Sequence, residues 1–268
     1  MYGNLTRLKK FIIYLVILFF SIIWIYPIAK SVIQSLQIKG LDNYASVINN
    51  PELNYFRVIF NSLFISISTA TIVTITASLA AFGFSKMEFR YKSLLYYMLL
   101  ACLAIPPVAV MTPLFYTVKT LKMTNSYGAL ILPLVAFNAP FMLMILKNYF
   151  DTIPNEIIEA ASIDGCSQLS IYKIIMLPLG IPAMINVGVL TFIYSWNDFL
   201  IPLLFVREKS MYTVTIATSF YTSTKNQTPE MVAQLYAALI LMSLPSILLY
   251  MFSQRYLQDG LTSGAIKG

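Results

Sequence analysis

The chain has 268 residues, of which 58% are hydrophobic and 11% are charged, and its formal net charge is +7. Soluble domains carry roughly a quarter of charged residues, so this composition excludes a water-soluble globule and indicates largely lipid surroundings. The basic residues stand singly between long apolar runs, which favours membrane topology over nucleic-acid binding as their explanation.

Six apolar stretches are long enough to cross a bilayer core, which needs about 20 helical residues. They cover residues 11–29, 62–82, 93–118, 127–146, 180–204 and 234–252. The sequence therefore predicts an all-α membrane protein, with six transmembrane helices in a single domain over 1–268. No small-residue cleavage site follows the first stretch, so we expect this helix to be retained.

Basic residues set the expected orientation of these helices. The N-terminal tail holds Arg7, Lys9 and Lys10, and loop 83–92 also holds three basic residues within about ten positions. Because short cytoplasmic loops are enriched in Lys and Arg, both termini are predicted to be cytoplasmic. The loop between spans four and five is then cytoplasmic as well.

Proline is frequent within the predicted spans. Nine of the 13 prolines lie there, and Pro106-Pro107 together with Pro113 interrupt span three twice. Each proline removes a backbone donor and disturbs a helix. One explanation of these prolines is that proline is common in membrane helices. A more specific explanation is a set of broken helices that line a pathway.

The polar segment 150–178, called the elbow below, carries its own helix signals. Asp151 and Thr152 are candidate caps, Pro154 suits a first turn, and Gly165 suits a stop, so a helix of about ten residues is predicted. Its apolar surface is too short to span a membrane and needs a partner or the membrane face.

A second short helix is predicted in the elbow after Gly165. Ser167 is its predicted cap, and Pro178 is expected to close it before span five begins. The elbow is thus predicted to be a helix-turn-helix connection and not a flexible linker.

Spaced residues in the elbow resemble the EAA loop of ABC importer permeases. They are Glu159-Ala160-Ala161, then Gly165, then Ile175-Met176-Leu177-Pro178. This resemblance implies a coupling helix that fits a cleft on a cytoplasmic ATPase subunit, with Glu159 as polar anchor, the alanines for close approach and Gly165 as the turn. The implied ATPase-coupling residues are Glu159, Ala160, Ala161, Asp164, Gly165 and Pro178.

A second resemblance runs from span two to the end of the chain. Asn61-Ser62, the run Trp196-Asn197-Asp198-Phe199-Leu200 with Pro202, and the ending from Gln254 to Gly268 are similar to the maltose-permease group of carbohydrate importers. Small departures at Leu257, Gln258 and Ile266 leave the sugar unspecified.

The resemblance to this group implies a whole assembly in the bacterial or archaeal plasma (inner) membrane. It implies a permease domain that pairs with a second permease subunit, an ATP-binding cassette ATPase dimer and an extracytoplasmic solute-binding protein that delivers a sugar. The cytoplasmic tail, residues 253–268, is expected to reach the ATPase dimer. An aromatic belt at the membrane surface is an equally good explanation of the Trp196 region.

Amides and aromatic side chains suit a neutral sugar, which offers hydroxyls and CH faces. The candidate residues of the substrate pathway are Asn138, Tyr194, Trp196, Asn197 and Asp198. Asp198 is the single charged side chain within the six spans, and a functional role and a structural one are both open for it.

The sequence predicts no catalytic, cofactor-binding or metal-binding residue in this chain. It contains no histidine and neither a G-x-x-x-x-G-K-[ST] nor a G-x-G-x-x-G motif. ATP and Mg are therefore expected in a partner subunit, and no nucleic acid is expected as a partner. The alternatives are an ABC permease for a non-sugar solute and an ion-coupled secondary transporter, in which Asp198 would carry the coupling.

Overall fold

A computed structural model describes residues 6–222 and 228–265, the segment 255–265 by its backbone alone. The described residues form helices joined by turns and loops and include no strand, which confirms the predicted all-α class. The helices are α1 (Arg7–Ser35), α2 (Asp42–Ile48), α3 (Tyr55–Lys86), α4 (Lys92–Ala101), α5 (Pro107–Thr120), α6 (Tyr127–Asp151), α7 (Asn155–Ile163), α8 (Gln168–Ile171), α9 (Leu177–Asn197), α10 (Leu200–Phe205), α11 (Val214–Phe220) and α12 (Pro229–Ala265).

Five helical segments in the described part of the chain are long and apolar enough to cross a membrane. They contain α1, α3, α6, α8 with α9, and α12. A sixth arises if α4 and α5 form one span, since they pass the same test together although they are bent by 99°. The bend lies at Pro106 and Pro107, which supply no backbone donor, so the first of the two predicted interruptions of span three is present. The second is wrong, because Pro113 lies inside α5, which continues to Thr120.

Several helix ends differ from the predicted ones. Residues 180–204 form two helices, because α9 ends at Asn197 and α10 begins at Leu200. The predicted tail, 253–268, continues α12 as far as Ala265, and residues 266–268 lie outside the described residues.

The chain divides into two compact units. The first contains the described parts of Met1–Tyr55 and Thr218–Ser243. In it the Asn43 amide, which is fully buried, donates to the carbonyls of Ser35, Gln37 and Gly40 and so fixes the turn between α1 and α2. Lys39 and Glu230 form an ion pair at 2.5 Å.

The second unit, Phe56–Ala217 with Leu244–Gly268, contains two apolar clusters. One joins α3, α6, α9 and the elbow, and includes Ala81, Phe150, Ile158 and Met176. The other packs α3, α5 and α6 against α10 and α11. The elbow is therefore built into a helical core.

Asn61 and Ser62 of α3 hold the segment before α11. The Asn61 amide donates to the Ser210 and Tyr212 carbonyls, at 3.0 Å each, and accepts from the Tyr127 hydroxyl at 2.7 Å. The Ser62 hydroxyl accepts from the Val214 N–H at 2.9 Å. This Asn-Ser pair, which carries part of the family resemblance, thus has a structural task in this chain.

The close contact between α6 and α9 gives a stability prediction. A Cβ at Gly180 would lie 2.6 Å from Cε1 of Phe150, whose side chain is fully buried, whereas a Cβ at Gly83 would meet nothing within 4 Å. We expect Gly180→Ala to lower the free energy of unfolding by about 1–3 kcal/mol through overpacking. Gly83→Ala, the matched control, should be neutral or stabilising by up to about 1 kcal/mol. Thermal unfolding in detergent measures both, and equal midpoints for the two variants would contradict the contact.

Candidate functional site

Helix α7 of the elbow ends in a Schellman motif. Gly165 adopts φ +84°, a left-handed conformation that favours glycine. The Cys166 N–H bonds the Ala161 carbonyl at 3.0 Å, and the Gly165 N–H bonds the Ser162 carbonyl at 3.1 Å. Gly165 is thus the stop predicted from the sequence.

The two faces of α7 have different environments. Ile158 and Ala161 are buried, at 7% and 8% exposure, within the cluster that joins α3, α6 and α9. Glu159, Ala160 and Ile163 point away from it, and Ile163 is 86% exposed. Of the two alanines of the motif, Ala160 is therefore on the open face while Ala161 packs into the chain itself.

The predicted start of the first elbow helix is corrected by the structure. Asp151 is the last residue of α6, and Thr152 follows it as the C-cap of that helix, so neither caps α7. Pro154 occupies the position before α7, where its missing N–H costs no intrahelical bond.

The role predicted for Pro178 is also wrong. Pro178 does not close the second elbow helix, because α8 runs through a π-helical turn, Tyr172–Met176, into α9 without a stop. The N–H of Leu177 bonds the carbonyl of Tyr172, five residues back, so the helix changes register before the proline at its new first turn. The Ser167 cap is present, since its hydroxyl accepts from the Ser170 N–H.

Contacts from α3 to the elbow were missed by the sequence analysis. The Tyr172 and Ser78 hydroxyls lie 2.7 Å apart in the interior, and the Tyr172 ring packs on Phe82. Near the start of the elbow, Ser85 and Lys147 both donate to the Asp151 carboxylate at 2.7 Å. Lys86 could be found in the sequence only as one of several basic loop residues, although it also contacts the elbow.

The candidate residues of the substrate pathway do not form one open surface. Trp196 is 3% exposed and stacks on Phe192, with ring centroids 5.6 Å apart. Asn138 is buried in α6, where its amide donates to the Leu134 carbonyl of the same helix at 2.7 Å. Tyr194 and Asn197 are exposed at the end of α9, and the Asn197 amide bonds the Ile193 carbonyl at 2.8 Å.

Asp198 lies in the break between α9 and α10. Its carboxylate accepts from the Ile201 N–H at 2.9 Å, and its carbonyl accepts from the Thr215 hydroxyl at 2.7 Å. The side chain thus satisfies a donor at the start of α10, where a helix leaves its first N–H groups without intrahelical partners.

Two hollows lie beside these helices. A groove of 520 Å³ between α3 and α9 is lined by apolar and small residues, among them Thr74, Met184, Gly188 and Phe192. A cavity of 270 Å³ lies at the break between α4 and α5, against Phe137 and Pro140 of α6.

Comparison with known proteins decides the family. A profile described as "Binding-protein-dependent transport system inner membrane component" matches residues 73–263. The chain belongs to this family. It is a multi-pass permease component of bacterial and archaeal ABC importers, and the resemblance to maltose-permease-like proteins is confirmed.

One relative agrees with this assignment, and two solved structures share the fold. The trehalose/maltose transport system permease protein MalG of Thermococcus litoralis is 34% identical over 229 residues, which are 85% of this chain and 81% of the relative. The structure of a bacterial ABC transporter involved in the import of alginate matches with a TM-score of 0.79 at 18% identity, over 96% of this chain and 99% of that one. A bacterial alginate ABC transporter in complex with an alginate pentasaccharide-bound periplasmic protein matches with a TM-score of 0.71 at 15% identity, over 91% and 93%.

The contacts of Asp198 predict different effects for two substitutions. Asp198→Asn keeps an oxygen acceptor for the Ile201 N–H, so we expect solute uptake to persist with unchanged pH dependence. Asp198→Ala leaves this donor without its acceptor and should destabilise the protein by about 1 kcal/mol. Uptake assays and thermal unfolding in detergent test both variants. Loss of uptake by a stable Asp198→Asn protein would show that the charge itself takes part in transport.

Proposed function

We propose that the chain is the transmembrane permease subunit of an ATP-driven ABC importer. It translocates a sugar or oligosaccharide that an extracytoplasmic binding protein delivers. The observation that carries the proposal is α7, a helix with an open face at Glu159, Ala160 and Ile163 whose opposite face is buried among the spanning helices.

The open face of α7 is the proposed docking surface for the ATPase. An exposed isoleucine beside exposed acids suits a protein cleft, in which Ile163 is covered and Glu159 is paired. Glu159, Ala160 and Asp164 contact the ATPase, while Ala161, Gly165 and Pro178 shape the elbow behind them. ATP and Mg²⁺ belong to the ATPase dimer, since this chain has no phosphate-binding glycine motif.

The membrane topology of the proposal has six spans. The bent pair of α4 and α5 counts as one broken span, and the termini, the elbow at 150–178 and the tail at 253–268 are all cytoplasmic. Basic residues support this orientation, because residues 7–10 and residues 83–92 each include three of them. The whole chain, 1–268, then forms one permease domain, which pairs with a second permease subunit.

The sugar part of the proposal rests on relatives and on the chemistry of the candidate residues. The relative from Thermococcus litoralis is described as a trehalose/maltose permease, and the two structural neighbours are transporters of a polysaccharide, alginate. Of the candidate residues, Tyr194 and Asn197 are exposed and offer an aromatic face and an amide, which are groups that bind neutral sugars, whereas the side chains of Asn138 and Trp196 are buried. Asp198 serves this pathway by capping α10.

Two substitutions test the docking of α7 on an ATPase, one on its open face and one at the turn that ends it. Glu159→Lys and Gly165→Pro should each abolish ATP-dependent uptake and the co-purification of the ATPase, while the chain still inserts into the membrane. The first reverses the polar anchor and the second breaks the left-handed turn. Affinity purification in mild detergent, followed by ATPase and uptake assays, measures both effects.

The matched control is Glu88→Lys, which makes the same charge change at an exposed residue of the loop between α3 and α4. It should leave uptake and co-purification unchanged. Normal uptake by both Glu159→Lys and Gly165→Pro would refute the docking surface. A chain that purifies and transports alone in liposomes would refute the ABC assembly itself.

A further inference from the structure

The last residue of α3 holds the joint between α6 and α7. The Lys86 ammonium donates to the Ile153 carbonyl at 2.6 Å and to the Asn155 side-chain oxygen at 2.8 Å. These two acceptors flank Pro154, which has no N–H, and no side chain caps α7. The direction in which α7 leaves α6 is therefore fixed by a group from a third helix.

A second contact ties α3 to the far side of the elbow. The Ser78 and Tyr172 hydroxyls lie 2.7 Å apart, with either able to donate, and the Ser78 hydroxyl also lies 3.0 Å from the Ile75 carbonyl. Both oxygens are buried, and a buried hydrogen bond in an apolar surrounding is expensive to break. The Tyr172 ring lies 5.5 Å from that of Phe82.

Helix α3 contacts the elbow at two points, one at the start of α7 and one after α8. If the elbow moved while α3 stayed in place, both contacts would break. The elbow also shares one apolar cluster with Ala77, Ala81 and Phe82 of α3. Close-packed interiors transmit such displacements instead of absorbing them.

We propose that Lys86 is a positioning residue for coupling, which fixes the angle of α7 so that movement of the elbow carries α3 along with α6 and α9. This inference rests on the proposed function of α7 as the ATPase-docking helix. Lys86 does not contact the ATPase in this account; it acts through the Ile153 carbonyl and the Asn155 side chain.

The test compares three variants in the complete transporter, purified with its ATPase and reconstituted in liposomes. Lys86→Met removes the ammonium but keeps the stem, and should lower the amount of solute transported per ATP hydrolysed by about tenfold, as expected for losing hydrogen bonds of a charged donor. Lys86→Arg keeps charged donors and should restore most of this ratio. Lys92→Met is the control, because Lys92, the first residue of α4, pairs with the exposed Glu88 of the preceding loop, and this substitution removes the same charge.

The readout separates positioning from folding. General destabilisation would reduce the yield of assembled transporter, whereas loss of positioning lowers the transport-to-hydrolysis ratio of transporters that do assemble. If Lys86→Met does not assemble, Lys86→Leu, which also lacks a donor, replaces it with the same expected fall in ratio. If Lys86→Met has the same transport-to-hydrolysis ratio as Lys92→Met while Glu159→Lys is inactive, the role of Lys86 is overturned and the proposed function is not. Full activity of Glu159→Lys would overturn the proposed function instead.

A distance measurement tests the geometry without ATP. Spin labels on Cys166, at the end of α7, and on Met87→Cys, next to Lys86, report the separation of the elbow from α3 in a Cys102→Ser background. The distance distribution should be narrow with Lys86 or Lys86→Arg, and broader or shifted with Lys86→Met. Identical distributions in all three would overturn the proposal.

Discussion

The packing of one small helix against three long ones is the constraint on which the rest of the structure depends. Ile158 and Ala161 of α7 lie in the same buried cluster as residues of α3, α6 and α9. Inside a membrane the hydrophobic effect does not distinguish lipid from protein, so close packing and hydrogen bonds must hold the long helices together. Next to the elbow, Gly180 allows close packing because it leaves room for the Phe150 ring. The Ser78–Tyr172 contact supplies a hydrogen bond there.

Two pairs of consecutive helices, in contrast, are separated by a break in the helical backbone. One lies at Pro106 and Pro107 between α4 and α5, and the other at Asp198 between α9 and α10. Backbone groups freed at membrane depth need partners within the protein. Asp198 supplies an acceptor at the second break, and a cavity lies beside the first. The elbow is thus attached to helical segments of α3, α6 and α9, while both breaks lie outside these segments.

Much of this arrangement could be predicted from the sequence, because a bilayer imposes length and polarity on each span. The apolar runs, the break at the proline pair, the turn at Gly165 and the cap at Ser167 depend on local residue types. The passage of the helix through Pro178 could not be predicted, since it depends on a π turn several residues earlier. The contacts of Lys86 join residues 67 and 69 positions apart, which no local pattern encodes. The inward orientation of Ala161 depends on the same tertiary packing.

Apolar packing and polar contacts contribute differently to the structure of this elbow. Ion pairs at protein surfaces contribute little to stability, so the Lys147–Asp151 pair does not account for the stiffness of the joint. The buried cluster supplies that stiffness, since moving Ile158 would open a void among close-packed side chains. Hydrophobic packing is nondirectional, so the buried cluster does not fix the angle of α7, a nine-residue helix that follows a proline. A charged donor with two acceptors on either side of that proline fixes this angle, which is why Lys86 matters more for the direction of α7 than for the stability of the fold.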